Sequence, residues 1–121
     1  MERISEAEQA VMEALWDDAP LGAQQVADRV APARGWTLNT VKTLLARLLA
    51  KGAVAHVEEG RRYLYRPLVA RDAFAAGESR RLIDRLFGGR VTPLVAHLAE
   101  RNDLTAQDIA EIEALLKALK R

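Results

Sequence analysis

The chain has 121 residues, of which 50% are hydrophobic and 29% are charged, and its formal net charge is +1. This composition is typical of a globular domain and too apolar for a disordered chain. It has no cysteine, which excludes disulfides, cysteine-ligated metals and thiol catalysts. No apolar run reaches the ~18–20 residues that span a bilayer, and no signal-peptide pattern begins the chain, so we expect a cytoplasmic protein.

The first thirty residues predict two amphipathic helices. Ser5 and Glu8 have the spacing of a capping box, and apolar residues recur behind them at helical intervals, which predicts a helix over residues 6–17. Apolar residues at positions 23, 26, 27 and 30 follow the same period and predict a second, shorter helix over residues 23–30. The Pro- and Gly-containing segment 31–35 ends it.

A third helix is predicted from the N-cap residue Thr37 to about residue 50, with Gly52 just beyond its end. At 100° per residue its leucines and Val41 gather on one face, which we expect to be buried. The opposite face is small, polar or cationic and carries no acid; it consists of Asn39, Thr40, Lys42, Thr43, Ala46, Arg47 and Ala50.

Two extended runs follow, over residues 53–58 and 62–66, and they flank the turn sequence Glu59-Gly60-Arg61. This pattern predicts a β-hairpin with a basic tip. The helix and the hairpin belong to the most basic part of the chain, since residues 34–66 carry seven basic and two acidic side chains. Such a concentrated field favours an anionic partner.

The remaining residues predict three helices: one over residues 71–87, one with Thr92 as N-cap and Pro93 at its first position, and one that starts at Thr105. We expect so small a unit to bury its apolar side chains against a second copy, although covering the first domain in a monomer stays open. The predicted dimerisation residues are Phe74, Ile83, Leu86, Phe87, Leu94, Val95, Leu98, Ile109, Ile112, Leu116 and Leu119.

Three helices followed by a hairpin are the element order of a winged helix-turn-helix, so the predicted fold is mainly α with a small β-hairpin. We predict a DNA-binding domain over residues 1–69 and a helical dimerisation domain over residues 70–121. In this fold the third helix enters the major groove and the hairpin contacts the adjacent backbone. The predicted DNA-binding residues are Asn39, Thr40, Lys42, Thr43, Arg47, Lys51, Arg61 and Arg62. The alternative is a winged-helix protein-interaction module without sequence-specific DNA binding.

Three segments of the chain resemble the penicillinase-repressor family of bacterial transcription regulators. They are residues 8–16 (EQAVMEALW), residues 36–52 (WTLNTVKTLLARLLAKG) and residues 60–67 (GRRYLYRP). The resemblance implies a homodimeric repressor that occupies a palindromic operator through N-terminal winged-helix domains. By position it implies recognition-helix contacts from Thr40, Lys42, Thr43 and Arg47, and wing contacts from Arg61 and Arg62.

The resemblance also implies a membrane sensor–protease pathway as an upstream partner. Relatives that respond to β-lactams are cut at an Asn-Phe bond in a C-terminal helix, and here His97-Leu98 occupies the corresponding place. Copper-responsive relatives carry Cys-x-Cys pairs, which this sequence lacks.

An enzyme is not predicted. The sequence has no glycine-rich phosphate loop and no Ser/His/Asp or paired-carboxylate pattern. The two histidines, His56 and His97, have no cysteine to complete a metal site, and we expect His56 to be a surface strand residue. We therefore predict no cofactor, no metal and no catalytic residue.

Overall fold

The computed structural model of the protein describes residues 2–120 and divides between Ala75 and Ala76 into two compact units, here called the N-terminal and C-terminal units. The domain boundary predicted after residue 69 stays a prediction. In chain order the elements are α1 (Glu6–Asp17), β1 (Leu21–Gly22), α2 (Ala23–Val30), a 3-10 turn (Pro32–Arg34), α3 (Leu38–Ala50), β2 (Val54–Glu59), β3 (Arg62–Pro67), α4 (Arg71–Phe87), α5 (Val91–Glu100) and α6 (Ala106–Leu119).

Local capping chemistry sets the limits of the first and third helices. Ser5 Oγ accepts a hydrogen bond from the Glu8 amide, and the Glu8 carboxylate accepts one from the Ser5 amide, so the predicted capping box is confirmed. Thr37 caps α3 because its Oγ1 accepts a hydrogen bond from the Thr40 amide. Gly52 follows the end of the helix with a φ of +76°, a conformation that favours glycine. The predicted limits of α1, α2 and α3 are confirmed, since these helices run over residues 6–17, 23–30 and 38–50.

The sheet has three antiparallel strands in the order β1-β3-β2. The predicted hairpin is confirmed, and its strands pair from Val54 with Pro67 to Glu59 with Arg62. The turn is therefore shorter than predicted, since only two residues connect the strands, beginning with Gly60 at a φ of +65°. The third strand, β1, adds Leu21 opposite Tyr65 and was not predicted.

The core of the N-terminal unit lies where α1, α2 and α3 pack together. Its most completely buried side chains are Val11, Met12, Leu15, Val26, Val41, Leu45 and Leu48. The ring nitrogen of Trp16 donates to the carbonyl oxygen of Val69 at 2.7 Å, and its ring lies 5.4 Å from that of Phe74. Phe74, predicted at the dimerisation surface, thus packs against the core of the N-terminal unit instead. The start of α4 is held by the same contacts.

The C-terminal unit contains the rest of α4 together with α5 and α6. Thr105 and Asp108 form a second capping box, which confirms the predicted start of α6. The predicted N-cap of α5 is wrong: α5 begins at Val91 with Arg90 as N-cap, so Thr92 and Pro93 lie within its first turn. Proline is tolerated there because amides of the first turn have no intrahelical acceptor. Among residues 2–120, no helix has both the length and the apolarity that crossing a bilayer requires.

Candidate DNA interface

The two faces of α3 differ in burial as the sequence predicts. Val41, Leu44, Leu45 and Leu48 are buried in the core of the N-terminal unit. The opposite face exposes Asn39, Lys42, Thr43, Ala46, Arg47 and Ala50, and Thr40 is half-buried beside it. The exposed part of this face carries no side chain that the fold needs for its core, so it is free to contact a partner.

Two threonines on this face have their hydroxyl groups oriented by the helix itself. Thr43 Oγ1 donates to the carbonyl oxygen of Asn39 at 3.0 Å, so towards a partner this hydroxyl can only accept. Thr40 Oγ1 lies 3.2 Å from Thr37 Oγ1, the oxygen that caps the helix. These side chains are short and locked in place, which suits close approach to base edges and thymine methyl groups.

Cations on α3 and the hairpin differ from other cations of the chain in having no acidic partner. Arg29 pairs with Asp18 at 2.8 Å, and Arg71 pairs with Asp17 at 2.7 Å and Glu13 at 3.1 Å. Within residues 2–120, by contrast, no carboxylate forms an ion pair with any of four predicted contact residues, which are Lys42, Arg47, Arg61 and Arg62. Their charge is available to an external anion.

The hairpin brings its two arginines beside the start of α3. The Cδ and Nη1 atoms of Arg62 lie 3.6 Å from the position a Cβ would occupy on Gly22, so this side chain extends across the start of α2. Arg61, Arg62 and Lys42 line one groove of about 500 Å³. The fold therefore brings Lys42 of α3 together with the hairpin arginines, which lie nineteen or more residues away in sequence.

Lys51 is a predicted DNA-contact residue whose side chain is bound to α1 and not exposed on the outer face of α3. Its ammonium group lies 2.5 Å from Glu8 Oε1 and 2.8 Å from the carbonyl oxygen of Arg3, and only 16% of the side chain is exposed. The prediction fails because α1 supplies an acid that the α3 sequence does not reveal. Lys51 instead joins the end of α3 to the start of α1.

The sequence predicts Glu8 only as part of the capping box of α1. It does not reveal that Glu8 also pairs with Lys51 at the end of α3. Its side chain is buried, and burial alone would raise its pKa. The Lys51 ammonium and the Ser5 amide outweigh that effect and hold the pKa of Glu8 below its ordinary value. Glu8 is thus a buried carboxylate that stays charged and fixes α3 relative to α1.

Of the eleven predicted dimerisation residues, nine are exposed or half-buried within the C-terminal unit. Leu86, Val95, Ile109, Leu116 and Leu119 are exposed, and Phe87, Leu94, Leu98 and Ile112 are half-buried. Ile83 is buried already. Val91 and Leu115 are exposed too and lie outside the predicted set.

His56 is exposed on β2, as expected, and its ring stacks on Tyr63 with centroids 4.4 Å apart. Within residues 2–120, no group of three His, Asp or Glu side chains could hold a metal ion.

Comparison with known proteins agrees with this geometry. A family model described as Penicillinase repressor matches residues 4–118. The chain is 28% identical over 118 residues to the penicillinase repressor of Bacillus licheniformis, covering 98% of this chain and 92% of that protein. It is 27% identical over 113 residues to the methicillin resistance regulatory protein MecI of Mammaliicoccus sciuri, covering 93% of this chain and 92% of the relative.

Two solved structures resemble the N-terminal part of the chain. The DNA-binding domain of the repressor BlaI is 32% identical with a TM-score of 0.53, covering 60% of this chain and 93% of that one. Bacillus licheniformis BlaI, as a monomer in complex with the blaP half-operator, is 32% identical with a TM-score of 0.52 and covers 60% of this chain and 88% of its own. Both are winged-helix structures, as is the N-terminal unit.

Proposed function

Since the chain belongs to the penicillinase-repressor family and is therefore a DNA-binding transcriptional repressor, we propose that it acts as a homodimer that occupies a palindromic operator. The observation that carries the operator contact is the outer face of α3, which is exposed and free of acids and whose cations form no ion pair within residues 2–120. The similar BlaI forms, as a monomer, a complex with a half-operator. We propose that each N-terminal unit of this protein likewise binds one half-site.

The contact residues divide by chemistry into two groups. Asn39, Thr40, Thr43 and Arg47 have the donors, acceptors and methyl groups that distinguish base edges in the major groove. Lys42, Arg61 and Arg62 supply charge for phosphates, which gives affinity and register rather than sequence choice. Lys51 is left out of this interface because its charge is already matched by Glu8.

The second copy is supported by the apolar side chains that the C-terminal unit leaves exposed. We propose that α4, α5 and α6 bury them against the same elements of a partner around a twofold axis. Such a dimer would set two recognition helices ~34 Å apart, or a multiple of that, and so match a palindrome. Occupying a promoter in this way needs no cofactor and no catalytic step. Because the operator is part of the bacterial chromosome, the proposed site of action is the cytoplasm.

The upstream membrane sensor–protease pathway stays a prediction. His97-Leu98 lies inside α5, where His97 is exposed and Leu98 is half-buried. A cut at this bond would divide α5 and so separate residues that we assign to the dimer surface. Incubating the repressor with membranes from induced cells, followed by mass measurement of the fragments, would identify such a cut.

The proposal is tested by selecting bound fragments from random duplex DNA and measuring affinity for the selected operator. We expect Arg47→Ala to weaken operator binding by about tenfold or more, because a good arginine–guanine contact contributes about 1–3 kcal/mol of discrimination. Arg29→Ala is the matched control, since Arg29 is an exposed arginine of the same unit that already pairs with Asp18. An Arg47→Ala variant that folds normally and binds like the wild type would contradict the assignment, and failure to enrich any sequence would favour the protein-interaction module.

A further inference from the structure

The groove between the start of α2, the start of α3 and the hairpin has two kinds of wall. Leu38, Tyr63 and Tyr65 give it an apolar and aromatic part, and the cations Lys42, Arg61 and Arg62 give it a positive part. Its volume of about 500 Å³ lies within the ~300–1,000 Å³ of small-molecule pockets, which are mostly apolar with a few converging polar groups.

Contacts with DNA would use only part of this groove. The backbone of a duplex presents phosphates, and these need the three cations. They do not need a leucine beside two tyrosine rings. Leu38 and Tyr65 are half-buried and pack against the core, so that wall is fixed in position, whereas Tyr63 is 47% exposed. The phenol of Tyr65 is neutral near neutral pH, and burial raises its pKa further.

We propose that this groove binds a small aromatic carboxylate and that the bound carboxylate competes with operator DNA. The carboxylate matches the cations, which have no acidic partner within residues 2–120, and the ring matches Leu38 and the tyrosines. Competition follows because Lys42, Arg61 and Arg62 cannot neutralise a ligand and DNA phosphates at once. The competition rests on the proposed function, whereas binding of the carboxylate does not.

Binding is tested on the full-length protein without DNA, with 2-naphthoate as the probe and its neutral amide, 2-naphthamide, as the control. Chemical shifts of the ¹⁵N-labelled protein should change saturably at Gly22, Lys42 and Tyr63, and 2-naphthamide should bind at least tenfold more weakly. Arg62→Gln and Tyr63→Thr should each weaken 2-naphthoate binding about tenfold or more. Arg66→Gln, at an exposed arginine of the same strand that does not line the groove, should leave it unchanged. Shifts that never saturate, that spread over the chain, or that 2-naphthamide reproduces would overturn the binding site.

Competition is tested with the selected operator, at constant ionic strength because DNA affinity depends on salt. Saturating 2-naphthoate should weaken operator binding at least tenfold relative to the same concentration of sodium chloride. Tyr63→Thr should bind operator like the wild type and resist 2-naphthoate, since Tyr63 is not among the proposed DNA contacts. Unchanged operator affinity at saturating 2-naphthoate would overturn the competition. A protein that binds 2-naphthoate but no selected DNA would refute the proposed function and leave the binding site standing.

Discussion

The two units of the chain differ in how completely they bury their own apolar residues. In the N-terminal unit, three helices and the sheet enclose a core in which Val11, Val26 and Leu45 have no exposed surface. In the C-terminal unit most large apolar side chains are at least partly exposed, and Leu119 is 82% exposed. The N-terminal unit thus satisfies its apolar residues within itself, while the C-terminal unit leaves a set of large apolar side chains in contact with water.

The largest difference should come from truncating one leucine to alanine in each unit. Leu45→Ala should lower the free energy of unfolding by about 3 to 4 kcal/mol, because it opens a cavity in a closed core. Leu115→Ala, at a residue that is exposed in the single chain, should change stability by an amount that depends on protein concentration. During urea unfolding, tryptophan fluorescence reports on the N-terminal unit, which holds both tryptophans, and circular dichroism reports on the helices of both units. A concentration-independent loss of similar size at Leu115 would erase the contrast between the units.

The second test introduces charge on the surface assigned to the dimer. Leu116→Asp should weaken self-association about 100-fold, because the partner would have to desolvate an unpaired carboxylate. Sedimentation equilibrium measures the monomer–dimer constant directly, and Lys117→Ala is the neighbouring control on the same helix. A wild-type protein that remains monomeric at every concentration would refute the dimer and remove the explanation for the exposed leucines.

A smaller effect is expected from the ion pair that joins α1 to α3. Glu8→Gln should cost about 2 kcal/mol at pH 7, below the ~3–5 kcal/mol of fully buried pairs, because Lys51 can partly regain water. Glu8 has a lowered pKa in the folded state, so its contribution is present above the ordinary glutamate pKa of about 4.3 and is lost as the pH falls through the lower, folded value. The gap between variant and wild type should therefore narrow on acidification. Glu6→Gln, at an exposed residue two positions before Glu8, is the control. A gap that does not change with pH would exclude this pair as its source.

The smallest effect concerns the salt dependence of DNA binding. If a dimer neutralises about six phosphates, the logarithm of the binding constant should fall with the logarithm of salt concentration at a slope near −5. Lys42→Ala should bring the slope closer to zero by about 2 per dimer, since one phosphate contact is lost from each subunit. Arg80→Ala, at an arginine paired with Asp84 in the C-terminal unit, should leave the slope unchanged. A flat response in the wild type would favour the protein-interaction module.

Local signals explain which features the sequence predicts well. The capping boxes at Ser5 and Thr105, the N-cap at Thr37 and the helical period each depend on residues within one or two turns. The exposed, acid-free face of α3 follows from the same period, so its burial pattern could be predicted without the fold. The predicted start of α5 is wrong because its N-cap residue, Arg90, makes no side-chain hydrogen bond to the helix. Such a start leaves no capping signal in the sequence.

Features that depend on distant partners could not be predicted in the same way. Strand β1 has two residues and is defined only by pairing with Leu64 and Tyr65, over forty positions away. Lys51 has the charge and position of a DNA contact, and only the fold reveals that Glu8 neutralises it. Phe74 has the spacing of a dimerisation residue, and only the fold brings Trp16 against it. In each case the deciding interaction joins residues that no periodic pattern connects.

The division of labour along α3 has a consequence for how such a regulator can change its target. Its buried leucines and the Lys51–Glu8 pair fix the position of the helix, whereas Asn39, Thr43 and Arg47 are exposed and lie outside the core. Substitutions among those outward residues should therefore alter which promoter is recognised at little cost in folding. New operator preferences could be evolved or engineered one position at a time on an otherwise unaltered scaffold.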